Sequence, residues 1–227
     1  MTVRGFIFDL DGVIVDTAGF HYLSWKNLAN ELGFDFTEDQ NEQMKGISRM
    51  DSLDVVLSIG GIVKSQEEKI ALAARKNEWY LDLLSDLTID QMLPGVKDML
   101  DQLKAADMSI ALGSASKNAR FVINKLGIAH YFEAMVDGND VMRSKPDPEV
   151  FLKAASLIGL KPSELVVFED SYKGLVASNE GGFISCGVGD DKILTNALFV
   201  IETFAGLQIS GLLNLIELAR SNKASMT

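Results

Sequence analysis

Only one cysteine, Cys186, occurs in the 227 residues, so no internal disulfide is possible and a reducing compartment suits the chain. Cys186 lies in Phe183-Ile184-Ser185-Cys186-Gly187, a run that reads as a packed strand rather than a nucleophile's setting. No apolar run approaches the roughly 20 residues of a membrane span. No apolar segment with a small-residue cleavage site opens the chain, so no signal peptide is expected and the expected location is the cytoplasm. Positive charge is also short. Lys and Arg number 21 against 32 Asp and Glu, a formal charge of -11, which argues against nucleic acid as a partner. An acidic protein can still bind a small phosphorylated substrate through a few local cations. There is no internal repeat, no low-complexity linker and no heptad or apolar stripe that calls for a partner, so a monomer is expected. What is present is apolar: 47% of residues are hydrophobic, enough for a large core in one big domain or two modest ones.

One stretch organises the rest. In Phe6-Ile7-Phe8-Asp9-Leu10-Asp11-Gly12-Val13 an apolar run ends abruptly in two carboxylates. Side chains alternate along a strand, so Asp9 and Asp11 begin on the same side, and Gly12 permits a tight turn. Two acids at the end of a buried strand need compensation, and a magnesium ion suits carboxylate oxygens. Asp9 is then a candidate nucleophile toward phosphorus and Asp11 a candidate proton donor and acceptor. A strand followed by a polar turn reads the same residues, and so short a pattern recurs by chance.

The remaining chain supplies context. Val3 to Phe8 reads as a buried strand. From Thr17 to about residue 88 only helical signals occur. Phe20, Leu23, Trp25, Leu28 and Leu32 fall near helical spacing before Gly33. Thr37 with Gln40, Ser48 with Asp51, and Ser65 with Glu68 resemble capping boxes that open three further helices. After Pro94-Gly95 strands and helices alternate. The strands are expected at 108–112, 134–136, 165–168, 183–186 and weakly at 198–201. Helices are expected at 95–106, 117–126, 148–158, 173–179 and 214–220. This order predicts an α/β fold: a mostly parallel sheet covered on both faces, with a helical block, 17–88, inserted after the first strand. The core would comprise 1–16 and 89–227.

Ligands of such sheets bind beyond the carboxyl ends of the strands. Polar residues stand there: Asp9 and Asp11, Ser114, Glu169 and Asp170, with Lys145 after a longer loop. Phosphoryl transfer needs an in-line nucleophile and neutralised oxygens. Asp9 would attack. Magnesium held by Asp9, Asp170 and Glu169 would neutralise charge, Ser114 would donate to a phosphoryl oxygen, and Lys145 would add a point charge and restrain Asp9. Each has a plainer reading. Ser114 also suits the cap of the next helix, Lys145 a solvated loop, and Glu169-Asp170 a helix start. Arg49, just after the cap residue Ser48, lies in a helix's first turn, where free N–H groups favour an anion. His21 shares a helix face with Trp25, and His130 beside Tyr131-Phe132 reads as structural.

Asp9-Leu10-Asp11-Gly12-Val13 with Ser114, Lys145 and Glu169-Asp170 resembles the four-motif signature of the haloacid dehalogenase superfamily, over about residues 3 to 190. The resemblance implies a Rossmann-like core, an aspartyl-phosphate on Asp9, magnesium with the Asp11 backbone carbonyl as a further ligand, and a mobile helical cap. The second acid, Asp11, argues for phosphoryl chemistry over dehalogenation. The segments 16–26, 41–53 and 115–118 resemble the sugar-phosphomutase branch of that superfamily. That implies interconversion of β-D-glucose 1-phosphate and D-glucose 6-phosphate through β-glucose 1,6-bisphosphate. It further implies that Arg49 binds the distal phosphate and that Ser116, Lys117 and Asn118 hold phosphate and sugar from the core. Lys76, Ser52 and Lys45 would face the sugar, with Thr17, Trp25 and Gly46 also counted as substrate contacts. His21 would lie near Asp11. A sugar-phosphate phosphatase and a non-catalytic phosphate-binding module on the same fold are the alternatives. Nothing is carried over to the segment after about 190.

Overall fold

The computed structural model describes residues 2–225; Met1 and residues 226–227, at the ends of the expected core segments, lie outside the described residues. Six parallel strands form one sheet in the order β3-β2-β1-β4-β5-β6. They are β1 (Gly5–Phe8), β2 (Ser109–Gly113), β3 (Ala134–Val136), β4 (Leu165–Glu169), β5 (Ile184–Val188) and β6 (Phe199–Ile201). The helices are α1 (Ala18–Glu31), α2 (Glu38–Glu42), α3 (Arg49–Ile59), α4 (Gln66–Leu83), α5 (Val96–Ala105), α6 (Ala119–Lys125), α7 (Glu149–Leu157), α8 (Tyr172–Glu180) and α9 (Ile209–Ser225). Among them no helix is long and apolar enough to cross a membrane.

Alternation along β1 divides the core. Phe6 and Phe8 face one side with Ile110, Leu112, Val166, Phe168 and the buried residues of α5 and α9. Ile7 faces the other with Ala111, Val167 and the α7 residues Val150, Phe151 and Ala154. The strands are buried on both faces, which is why their sequences run apolar without a polar beat. The block α1–α4 has a core of its own, centred on Trp25, Leu28, Phe36, Leu53, Val56 and Ala73. Tyr80, Leu84 and Leu87 at its base belong instead to the cluster beneath the sheet.

Reciprocal capping boxes open α2 at Thr37 and Gln40 and α4 at Ser65 and Glu68. At Ser48 the box is broken. The Asp51 amide donates to Ser48 Oγ, but the Asp51 carboxylate accepts the Ser48 hydroxyl rather than its amide. Most boundaries fall within a few residues of the sequence reading, and two of the differences have a clear cause. β4 runs one residue further and includes Glu169, paired with Gly187 of β5. The last helix begins at Ile209, not near Asn214. Its first turn has no sequence cap. Gln102 of α5 supplies one from a distance, its Oε1 accepting from the Ile209 amide at 2.9 Å.

Between β1 and β4 the chain crosses from one face of the sheet to the other, the place where such folds open a crevice. Phe168 of β4 anchors it, fully buried, with ring centroids 4.8 Å from Phe8 and 4.9 Å from Phe204. Phe168→Ala should lower the unfolding free energy by about 3–5 kcal/mol in urea titration. A loss below about 1 kcal/mol would contradict this account of the core.

Candidate active site

Asp9 follows β1 directly, its amide donating to Phe168 O at 3.0 Å, so β1 and β4 together fix its backbone. Its carboxylate accepts from Lys145 Nζ at 2.8 Å, and the same ammonium lies 2.5 Å from Glu169 Oε1. Lys145 is buried, not solvated. Glu169 Oε2 accepts from both the amide and hydroxyl of Ser171, at 2.8 Å each. The Glu169 oxygens are therefore engaged with protein donors. Sequence reasoning made this residue a metal ligand beside Asp9 and Asp170, and one of its oxygens lies within 4.8 Å of theirs. The helix after β4 is capped by Ser171, so Glu169 and Asp170 are not helix-start acids.

Oxygens of Asp9, Glu169 and Asp170 lie within 4.8 Å of one another. Burial raises the Asp9 carboxyl well above its ordinary value, opposed by Lys145 and reinforced by Glu169 and Asp11. Burial, with Glu169, pushes Asp170 up to about 7, although Lys45 pulls it down. Burial disfavours the Lys145 ammonium, but Asp9 and Glu169 more than reverse that, so it remains a cation. Acids outnumber cations here, and hard oxygen donors crowd together. That set fits a divalent ion of the magnesium type. Gly12 makes the turn possible: its φ is +78°, and a Cβ there would lie 2.1 Å from Asp170 Oδ2.

Asp11 points away from this cluster and accepts from the Thr17 hydroxyl. Burial raises its carboxyl, with Thr17, Lys145 and Lys76 opposing. Thr17 is fully buried, and its hydroxyl is engaged with Asp11. His21 Nδ1 lies 2.9 Å from Lys76 Nζ, and its ring stacks on Tyr80 at 4.1 Å. Burial, then Lys76 and Arg49, push the imidazole well below its ordinary value, so it is neutral. Lys76 Nζ also sits 4.7 Å from the Trp25 ring and 4.6 Å from the Tyr80 ring.

Ser114 does not cap α6, which starts at Asn118 without a side-chain cap. Its Oγ accepts from the Ser116 amide at 3.1 Å, leaving the O–H as a donor. Asn118 Nδ2 donates to Asn77 Oδ1 of α4 at 2.8 Å. From the helical block, Lys45 Nζ reaches Asp170 Oδ2 at 3.4 Å. Gly46 has φ +78°, and a Cβ there would stand 2.6 Å from Ser171 Oγ. Close approach of the block to the core thus explains that glycine.

One cavity gathers these groups. Asp9, Asp11, Gly12 and Asp170 form its floor, with Ser114, Ser116, Lys117 and Asn118 on the core side. His21, Trp25, Lys45, Gly46, Arg49, Ser52 and Lys76 form the opposite wall. Lys145 and Glu169 lie behind the floor. Asp16, Asn41, Met44 and Ile47 also line the cavity, and Ser171 orients Glu169; sequence reasoning named none of them as site residues. Their neighbours in the 16–26 and 41–53 segments were the available signal. Arg49 and Lys76 are desolvated enough to be lowered below their ordinary values, and neither forms an ion pair among the described residues.

The family described as haloacid dehalogenase-like hydrolase matches residues 6–188. A β-phosphoglucomutase of Bacillus subtilis is 38% identical over 209 residues, covering 91% of this chain and 92% of the relative. A phosphorylated carbohydrates phosphatase of Thermotoga maritima is 30% identical over 179 residues, covering 78% of this chain and 80% of the relative. The crystal structure of a β-phosphoglucomutase from Clostridium difficile superposes with a TM-score of 0.93 at 37% identity. It covers 97% of this chain and 100% of that one.

Asp9, Asp11 and Asp170 are all raised on folding, Asp170 to about 7, so these three groups hold more protons in the folded chain than in the unfolded one and outnumber His21, which acts in the opposite sense. Stability of the metal-free protein should therefore fall as pH rises from the ordinary carboxylate range to about 7. Magnesium needs the carboxylates deprotonated, so its thermal stabilisation should be larger at about pH 7.5 than at about pH 5.5. An equal or reversed difference in melting scans would refute this.

Proposed function

The chain belongs to the haloacid dehalogenase-like hydrolase family, and on that footing we propose that it is an isomerase. It interconverts β-D-glucose 1-phosphate and D-glucose 6-phosphate by the β-phosphoglucomutase reaction. The observation that carries this reading is the contrast between the two walls of the cavity. The floor is an acidic cluster that suits a reacting phosphoryl group with a divalent cation. The opposite wall offers Arg49 and Lys76, two basic groups that burial disfavours in charged form and that make no ion pair among the described residues. A ligand with an anionic group at each end answers both, and a hexose bisphosphate is such a ligand. The β-phosphoglucomutases of similar sequence and structure support the same reading.

In the forward direction phospho-Asp9 transfers its group to the C6 hydroxyl of β-glucose 1-phosphate, and Asp11 takes the hydroxyl proton. Glucose 1,6-bisphosphate results and turns round. Asp9 then attacks the C1 phosphorus. The new P–O bond to Asp9 forms as the bond to the C1 oxygen breaks, and Asp11 returns its proton to that oxygen. Burial raises Asp11, which favours the protonated form needed for departure near neutral pH. Lys145 holds the Asp9 carboxylate in place and counters its charge, and Ser114 donates to a phosphoryl oxygen. Magnesium, which Asp9, Glu169, Asp170 and the Asp11 carbonyl would hold, would supply charge neutralisation when bound. Residues 17–88 act as a cap over the core formed by 1–16 and 89–227. The cap carries Arg49 to the distal phosphate and His21 toward Asp11 or substrate, and closure excludes water. All the named groups come from one chain, so a monomer suffices.

The direct test supplies β-glucose 1-phosphate, magnesium and a trace of the bisphosphate, then compares glucose 6-phosphate with free phosphate. Predominance of glucose 6-phosphate is expected. Mostly free phosphate would make the protein a sugar-phosphate phosphatase, and no turnover would make it a binding module. Arg49→Ala should lower mutase kcat/KM roughly 10- to 100-fold, the scale of hydrogen bonds to a charged group. Phosphorylation of Asp9 by acetyl phosphate, which has no distal phosphate, should change little. Equal losses in the two assays would sink the assignment of Arg49.

A further inference from the structure

The loop that carries Lys145 touches the cap through its neighbour. Ser144 Oγ donates to Asp51 Oδ2 at 2.6 Å, and Ser48 Oγ donates to the same oxygen at 2.6 Å. One carboxylate oxygen is thus shared by a hydroxyl from the cap and a hydroxyl from the core. Such short bonds to an ionised acceptor are the stronger kind. Partial burial pushes the Asp51 carboxyl upward, but the bonds from Ser144 and Ser48 bring it below its ordinary value, so it is ionised at neutral pH. A helix-start acid needs only Ser48 and the free amides of α3. That role leaves Ser144 unexplained.

Position gives the contact its interest. Asp51 lies two residues after Arg49, and Ser144 lies one residue before Lys145. Among the other polar bridges between cap and core, Lys125 to the Ser85 carbonyl lies away from the cavity, whereas Lys45 to Asp170, Asn77 to Asn118 and Thr17 to Asp11 use cavity groups. A bound cation or sugar phosphate would compete for those partners. Neither Asp51 nor Ser144 lines the main cavity. Both line a separate cleft beside it, with Lys117, Met142 and Arg143. Their bond can therefore persist while the cavity is filled.

We propose that Asp51 and Ser144 are positioning residues forming a latch, which holds the Arg49 turn of the cap against the Lys145 loop and so keeps the closed cavity shut to water. The latch ties the residue that senses the distal phosphate to the loop that restrains the nucleophile. Its consequence for chemistry rests on the mutase reading; its existence does not.

Two measurements separate these. The first is amide hydrogen exchange of the full chain without substrate. Ser144→Ala should speed exchange both in the first turn of α3 and in the 143–146 loop. Ser48→Ala, which removes the helix cap, should act mainly on α3. The second is the ratio of glucose 6-phosphate to free phosphate formed from β-glucose 1-phosphate. Ser144→Ala should lower it about 5-fold, on the scale of one weakened hydrogen bond. Ser144→Thr, which keeps the hydroxyl, should restore it. Unchanged exchange in the 143–146 loop of Ser144→Ala overturns the latch. Altered exchange with an unaltered product ratio overturns its positioning role. If the unmodified protein yields only free phosphate, the mutase reading fails, and the exchange arm alone decides for or against the latch.

Discussion

The site depends on one buried ammonium. Lys145 reaches Asp9 across 136 positions of sequence and touches Glu169 in the same gesture. Burying a carboxylate without a partner is costly, and here several are buried side by side at the end of two central strands. Lys145 offsets part of that cost and, being locked between two acids, cannot wander. Asp9 inherits the rigidity. With one oxygen held by that cation, Asp9 also lines the cavity, where on the proposed reading a phosphoryl group arrives. The protein leaves the rest of the negative charge uncompensated, as the raised Asp170 carboxyl records. That residual imbalance is what makes the floor receptive to a divalent ion.

Topology makes this concentration possible. Strands β1 and β4 are neighbours in the sheet although far apart in sequence, and their carboxyl ends face the crevice where the chain changes sides. The acids at both ends therefore converge without any helix or loop having to be strained toward them. Two glycines permit close approach. Gly12 leaves room for Asp170 within the core, and Gly46 of the helical block leaves room for Ser171, the residue that holds Glu169.

Much of this was legible in sequence because it follows from local rules. Apolar runs that end in Asp9, Ser114 and Glu169 mark strand ends, and strand ends in a parallel sheet mark the site. Capping pairs marked the helices of the cap, two of them with full reciprocity. What escaped was set by partners distant in sequence. Gln102 lengthens the last helix from another helix, Ser171 takes up Glu169, and Thr17 turns inward to Asp11. Ser48 and Asp51 spelled a capping box, yet Asp51 answers to Ser144 as well. A polar side chain with two possible partners is decided by which one folding brings within reach, and spacing along the chain is silent on that.

The cap wall raises a final physical point about choosing sugar over water. Enclosure alone would favour neither, since a single trapped water could still attack phospho-Asp9. Burial disfavours the charged forms of Arg49 and Lys76, and Lys76 lies against two aromatic faces and a neutral imidazole, with Asp11 only partly opposing the effect of burial. An anion entering from the cavity would relieve that deficit. Binding of the distal phosphate therefore has more to gain in the closed arrangement, where the cations are driest, than in an open one where water already solvates them. Differential affinity of this kind is what shifts a conformational equilibrium. On the proposed reading, closure is thereby conditional on a substrate that carries a second phosphate. That substrate would bring its own hydroxyl to Asp11, so the event that shuts out water would also deliver the intended acceptor.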